Sequence, residues 1–597
     1  MRKIIRYISI VFAIILLNAC EKDLNLLPLD TLVSESYFTK ENDFKIFTNA
    51  FYNQLPDFGE SDRDNWADLT YNGNTISNST YLESQANGLW DGSYANIRNH
   101  TILINKVTAL PEGSLKTSVM VYEAESRFFR ALAYFRLLRD FGGVPLVDKE
   151  LTLSDVDLLY GPRNTREQVV AFILKDLDAA LAIPTLGTLS GADDIGRVSK
   201  EAVLAFKARV CLFEGTWAKY HDTGENSGDL LTKAASAANE VISGNKFSLF
   251  KRDDVLNNVS ESYRYFFLLE NDAQSNPARL NKGNQNENIL VSKHNKVDRP
   301  AGYISVSSGN LSPAKKLADM FLDDKGLPIT HPQTSFKGWG FTIDPVTKIA
   351  TNTEYLNRDP RMLANLIPPF TQFWYHAPYN RNFSLTDEKL TGAFNDGFWT
   401  SNTGYLLHKF IPEIDGGVGI DYPSIRLAEV LLIYAEATYE KGGSISDADL
   451  DKSINKLRDR VNMPHLTNAF VSANGLNMLN EIRRERTIEL FAEGFRYDDL
   501  RRWKTAETEM TQDVKGVQWQ NSVFATTFQV YSVYTGNVVT INNFIDTKYN
   551  VDANGFLVRE TAAQRKFLAA KHYLQPLPLR QLTINDKLIQ NPGWANQ

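Results

Sequence analysis

PSIRLAEVLLIYAEATYEKGG (residues 423–443), SDADLDKSINKLRDRV (446–461) and LNMLNEIRRERTIELFAEGFRYDDLRRW (476–503) decide the fold. Pro423 suits a first helical turn, where its missing N–H is no loss, and Gly442-Gly443 supply a stop. Ser446 or Asp447 can cap a second helix, in which Leu450, Ile454, Leu457 and Val461 recur on one face. A third helix is expected to run to Gly494, and a short fourth turns Leu500 and Trp503 inward. Short connections between such helices predict an antiparallel array.

Charges sit in unusual places in this array. Arg426, Glu429 and Glu436 interrupt an apolar helix, and arginines and acids crowd residues 483–502. Helical spacing sets Arg426 beside Glu429 and Arg486 beside Glu489, where bidentate pairs can form. The expectation is an ion-pair lattice between helices rather than an active site.

YPSIRLAEVLLIYAEA (422–437), followed by IRRER and ELFAEGFRYDDLRRW, resembles the SusD-like (RagB/SusD) family. AESRFFRALAYFRLLRDFGGVPLV (124–147), YLQPLP (573–578) and QNPGW (590–594) are similar to the same family, so the resemblance runs along the chain. It implies a predominantly α fold: a tetratricopeptide-like helical-repeat scaffold with an inserted loop-rich subdomain carrying short strands. It also implies an outer-membrane glycan-binding lipoprotein whose ligand site lies in loops outside the scaffold, and whose partner is a SusC-like TonB-dependent transporter. No regular repeat of about 34 residues is visible, so the tetratricopeptide label comes from the resemblance alone.

The chain has 597 residues, 43% of them hydrophobic, enough to bury more than one core. Its net charge is −7, and more negative without Arg2, Lys3 and Arg6, which disfavours a nucleic-acid partner. Those three residues and the apolar run from Ile8 to Leu17 make a signal peptide over residues 1–19. Leu17-Asn18-Ala19-Cys20 resembles a bacterial lipobox, which implies acylation of Cys20 and anchoring in the outer membrane of a Gram-negative bacterium. Glu21-Lys22-Asp23 resembles the acidic tag of surface-exposed lipoproteins. With Cys211 as the sole other cysteine, neither a disulfide framework nor a cysteine metal site can be built.

Residues 20–38 read as a tether and 39–249 as the N-terminal part of the helical scaffold. A capping box joins Thr165 to Gln168, and Ser199 caps a helix carrying Val203, Phe206, Val210, Phe213 and Trp217. Residues 56–85 are rich in Asp, Asn, Ser and Gly, a long loop of the kind that carries function. Between 250 and 421 periodicity thins and short β-like runs appear at 288–292 and 302–306, as expected of the inserted subdomain. The scaffold is completed by residues 422–597, with a strand expected over 528–541 and a hairpin turned at Asn554-Gly555.

No zinc-protease helix, nucleophile elbow or phosphate loop is present, and no metal site or cofactor is expected. What remains is a binding surface. Exposed aromatic rings stack on the apolar faces of sugars while Asn, Asp, Gln and Arg bond the hydroxyls. The candidate ligand residues are Trp66, Tyr71, Tyr81, Trp339, Trp374, Tyr375 and Trp399. The leading expectation is capture of an oligosaccharide or polysaccharide without catalysis. The alternatives are a surface glycoside hydrolase, which needs a carboxylate pair, and a purely structural assembly protein.

Overall fold

The computed structural model describes residues 37–595 apart from 72, 74–75, 190–195, 225, 257, 272–275, 277, 302–310, 341, 344–349, 369–374, 377–378, 381–400, 413–418, 519–528, 532–537 and 541–549. The signal peptide, Cys20, the strand expected at 302–306 and much of that expected at 528–541 lie outside the described residues. Within the latter stretch, Gln529–Tyr531 and Val538–Thr540 form an antiparallel pair.

The N-terminal half is built from helices α1 (Glu41–Asn49), α2 (Gly88–Ala109), α3 (Ser114–Phe141), α4 (Arg166–Leu181), α5 (Lys200–His221), α6 (Ser227–Ser243) and α7 (Val259–Phe266). The Thr165–Gln168 capping box forms, and Ser199 accepts the Ala202 N–H. Each helix packs on the next from α2 through α6, the arrangement expected of a helical-repeat scaffold. Later come α8 (Lys315–Met320), α9 (Leu427–Gly442), α10 (Asp447–Lys452), α11 (Ile454–Arg460), α12 (Met478–Glu489) and α13 (Arg496–Arg502). Helix α9 lies against α5, α6 and α12, so the two halves of the chain share one hydrophobic core. A second core joins Phe58 and Leu69 to residues from Phe250 through Tyr422, and to Ile488, Phe491 and Leu557.

The strands are short: β1 (Thr70–Tyr71), β2 (Asn288–Ser292), β3 (Ser312–Pro313), β4 (Tyr422–Arg426), β5 (Val514–Gln518), β6 (Asn550–Val551) and β7 (Phe556–Glu560). Antiparallel pairs form between β1 and β3 and between β2 and β4, and β5, β7 and β6 make a three-stranded sheet.

Three local expectations are corrected. Pro423 lies in a strand rather than in a first helical turn, opposite Val291 and beside a register irregularity, where a missing N–H is tolerated. The second helix breaks at Ser453, although Leu450, Ile454, Leu457 and Val461 are all buried as expected. The third ends at Glu489, not Gly494. Gly494 has a φ of +80°, and a Cβ there would stand 2.3 Å from the Glu60 carbonyl oxygen, so the backbone needs a glycine.

The segment read as a loop over 56–85 also differs, because Phe58–Trp66 is a 3-10 helix lying on α13. Buried Arg63 reaches Asp140 and Asp498 at 3.0 and 2.7 Å. Asp64 accepts the N–H groups of Gly494 and Arg496, and burial pushes its carboxyl up to about 7.

The ion-pair lattice exists, but Arg426 and Arg486 take partners other than Glu429 and Glu489, respectively. Arg426, extended at the end of β4, bonds Glu493 through Nε (2.8 Å) and Nη2 (2.7 Å), and Glu287 and Glu489 through Nη1 (2.9 and 2.8 Å). Glu489 also takes Arg460 at 2.5 Å and Arg361 at 3.2 Å. Burial alone would raise the Glu489 pKa, yet Arg460, Arg426 and Arg361 hold it far below the usual carboxylate range. Lys409, buried beside Glu493, is pulled down to about 8 by desolvation. Glu429 instead pairs with Arg209 on α5 (2.6 Å), and Arg486 with Asp499 on α13 (2.8 Å). An arginine on a strand does not project beside a glutamate one helical turn on. Antiparallel packing brings the true partners from other elements.

Removing one partner should therefore leave a buried charge uncompensated. Arg426→Ala and Glu489→Ala are each expected to lower stability by about 3–5 kcal/mol in a denaturant melt. A melt unchanged from wild type would show that the lattice does not hold the fold. Cys211 on α5 is buried, and desolvation pushes its thiol up to about 12, so a thiol reagent should label the native protein slowly. Rapid labelling before unfolding would contradict that.

Candidate functional site

An open groove of about 750 Å³ lies between α8, the loop holding Trp339, the β5 strand and the turn entering β7. That volume falls among those of ligand sites, which are roughly 300–1,000 Å³. Its floor is anchored from below: Leu317 and Ala318 of α8 are buried in the second core. Asp552 shapes one wall, its Oδ1 accepting the N–H groups of Asn554 (2.9 Å) and Phe556 (3.0 Å), which folds the hairpin expected at Asn554-Gly555. Gln518 spans the wall by donating to the Asn554 carbonyl at 3.0 Å.

Trp339 is 37% exposed, one of the large apolar side chains left open to solvent. Gly338 (φ +92°) and Gly340 (φ +85°) flank it, both in the left-handed region that favours glycine. The ring is braced by three neighbours. Its Nε1 donates to Asp319 Oδ1 at 3.1 Å, and Phe336 and Phe556 meet it edge-on, each with centroids 5.3 Å away. The Lys315 ammonium stands 4.6 Å from its centroid and 4.5 Å from that of Phe556. A rigidly held aromatic surface beside the amides of Gln512, Gln518 and Asn554 can stack on an apolar face and bond the polar groups at its edge.

The other candidate aromatics occupy different surroundings. Trp66 is half-buried against the scaffold, edge-on to Tyr497 and 5.2 Å from the Arg63 guanidinium. Tyr81, also half-buried, packs on Trp594. Tyr71 pairs with Ser312 across β1 and β3, its ring 5.1 Å from Arg559 of β7, so it borders the groove's elements without lining the groove. Trp374 and Trp399 lie outside the described residues. Tyr375 belongs to a short strand opposite Asn380. Sequence reasoning points to none of Asp319, Gln512, Gln518, Asn554 and Phe556, which also line the groove. A turn rich in Asn and Asp beside Phe556 was the one local signal available, and a turn is what it makes.

The groove's carboxylates are engaged. Asp319 bonds Lys315 and the Trp339 indole. Asp513 accepts the Ala562 N–H at 2.7 Å. Burial works to raise the Asp552 pKa, but Lys515 and the two backbone N–H groups outweigh it and hold the group below its ordinary value. Glu354 lies behind the loop, its N–H on the Gly340 carbonyl and its Oε1 taking the Tyr405 hydroxyl at 2.5 Å. Desolvation pushes Glu354 up to about 7.

Comparison with known proteins bears on this geometry. A family profile described as "SusD family" matches residues 269–594, and another, "Starch-binding associating with outer membrane", matches 7–212. A SusD-like protein of Formosa agariphila is 26% identical over 538 residues, covering 84% of this chain and 92% of that one. A SusD-like protein of Bacteroides ovatus is 23% identical, over 71% of this chain and 66% of its own. Among solved structures, a SusD-like carbohydrate-binding protein from Bacteroides fragilis superposes with a TM-score of 0.65 at 20% identity, over 92% of this chain and 99% of that one. A laminarin-binding SusD-like protein superposes with a TM-score of 0.53 at 18% identity, over 93% and 100%. With a profile match across more than half of its length and the same helical scaffold, the chain belongs to the SusD family.

Proposed function

We propose that this protein is a cell-surface lipoprotein that captures an oligosaccharide or polysaccharide in the Trp339 groove and delivers it to a TonB-dependent outer-membrane transporter. The observation that carries the reading is the exposed, braced Trp339 indole beside Gln512, Gln518 and Asn554. The starch-binding description of one family profile and the laminarin-binding neighbour support a saccharide as ligand. Cys20 is the acylated anchor in this reading, and among the described residues no helix is long and apolar enough to cross a membrane. Passage of the captured glycan across the bilayer then falls to a β-barrel partner.

Binding without cleavage is the reading favoured for the groove. A glycosidase needs one carboxyl kept protonated beside a second, and Asp552, held ionised, does not fit the first role. Glu354 has the raised pKa, but it is buried and committed to Tyr405. Its perturbation reads as a cost of burial rather than as tuning for catalysis.

Trp339→Ala should weaken glycan binding roughly tenfold or more, the loss of about 1.4 kcal/mol of stacking, with the melting temperature nearly unchanged. Full affinity in that variant would move the site elsewhere. Glu354→Gln should leave binding intact and expose a pH effect. The folded-state pKa of Glu354 is raised, so its stabilising contribution is complete below about pH 4.5 and is lost as pH rises through about 7. The variant should therefore match wild type near pH 4.5 and exceed it at pH 8, by about 3 kcal/mol at most. Loss of a glycan-cleaving activity in Glu354→Gln would instead establish an enzyme. Cys20→Ala should release the protein from the outer membrane, and purification of the lipidated form in mild detergent should recover a large β-barrel protein. Retention of Cys20→Ala in the membrane without a partner would show another anchor.

A further inference from the structure

We infer that the Trp339 groove selects neutral saccharides and turns away sulfated and uronate-bearing ones, an inference resting on the reading of the groove as a glycan site. Three ammonium groups line it, and each is already taken. Lys315 bonds Asp319. Lys316 bonds Asp68 at 2.6 Å, and Glu509. Lys515 bonds Asp552 at 2.9 Å and Asp513 at 3.3 Å. Asp319, Asp513 and Asp552 line the groove beside these three ammonium groups, so the lining carries no surplus positive charge, and the chain as a whole stands at −7.

A sulfate or uronate entering the groove must displace a bonded carboxylate or stand beside it, and like charges at contact distance oppose binding. Recognition of such groups ordinarily uses an arginine fork, which meets two oxygens at once. No arginine is among the described residues lining this groove. The amides of Gln512, Gln518 and Asn554 are uncharged and suit hydroxyl groups, which both donate and accept. Lys315 serves the site from behind, since its ammonium lies between the Trp339 and Phe556 rings and its charge is closed by Asp319.

The test titrates the mature protein and its Trp339→Ala variant with matched polymers at low salt: dextran against dextran sulfate, galactan against sulfated galactan, and a β-glucan against its uronate-oxidised derivative. The expected result is Trp339-dependent binding of a neutral member, with its charged counterpart roughly tenfold weaker or worse and the gap narrowing as salt rises. The Glu509→Gln/Asp513→Asn double variant removes two of the carboxylates and should gain affinity for the charged polymer. A charged polymer that binds as tightly as its neutral counterpart, and loses binding in Trp339→Ala, would overturn the neutral selectivity while leaving the groove a glycan site. Binding that survives Trp339→Ala, or the absence of binding by every polymer, would overturn the groove reading and this inference with it.

Discussion

The Arg426 guanidinium ties the middle of the chain to its C-terminal part. It leaves a strand, not a helix, and meets Glu287 from the middle region, Glu489 from the end of α12 and Glu493 from the turn that follows. None of these groups is accessible to water, so each charge depends on the others remaining in place. Arg460, Arg361 and Lys409 extend the arrangement into a network in which Glu489 and Glu493 are each shared by several cations. Its worth lies less in net attraction than in specificity, because displacing one member strands the rest in a medium that cannot solvate them.

This network also explains the shape of the motif. The α12 helix stops at Glu489 and the chain turns through Ala492 and Gly494, which brings Glu493 back to Arg426 and Lys409. The 3-10 segment at Phe58–Trp66 then closes over Gly494, with Asp64 accepting backbone N–H groups there and Arg63 bridging Asp140 and Asp498. Residues that read as arginine and acid crowding along a helix are thus the joints between elements far apart in sequence. The scaffold they stiffen carries the second core, and the groove is built on the outer edge of that core. Trp339 can stay exposed because Phe336, Phe556, Lys315 and Asp319 hold it from behind.

Capping and periodicity were legible one residue at a time. Thr165 with Gln168, Ser199 with Ala202, and the buried stripe Leu450, Ile454, Leu457 and Val461 all appear where local rules put them. The hairpin at Asn554-Gly555 was equally readable, since Asn-Gly favours a tight turn, and Asp552 braces it by accepting the N–H of Asn554, two residues on. Of the candidate site, Trp339 was legible as a large aromatic among glycines in a region without helical period. Trp66 looked the same in sequence, yet it rests against Tyr497 and Arg63, because the segment around it folds onto α13. Nothing local separates an aromatic that packs from one that faces a ligand.

The sequence by itself determined the family, through its long motifs, and the predominantly helical class with caps such as Thr165 and Ser199, because capping and periodicity depend on residues within a turn or two of one another. Tertiary structure alone decided which charge meets which, that Pro423 to Arg426 would be a strand beside Asn288–Ser292, and that Gln512, Gln518 and Asn554 would line one groove with Trp339 from well over a hundred residues away. Those outcomes depend on which surfaces pack together. A strand partner, an ion pair or a groove wall drawn from a distant segment leaves no periodic trace in either stretch taken alone.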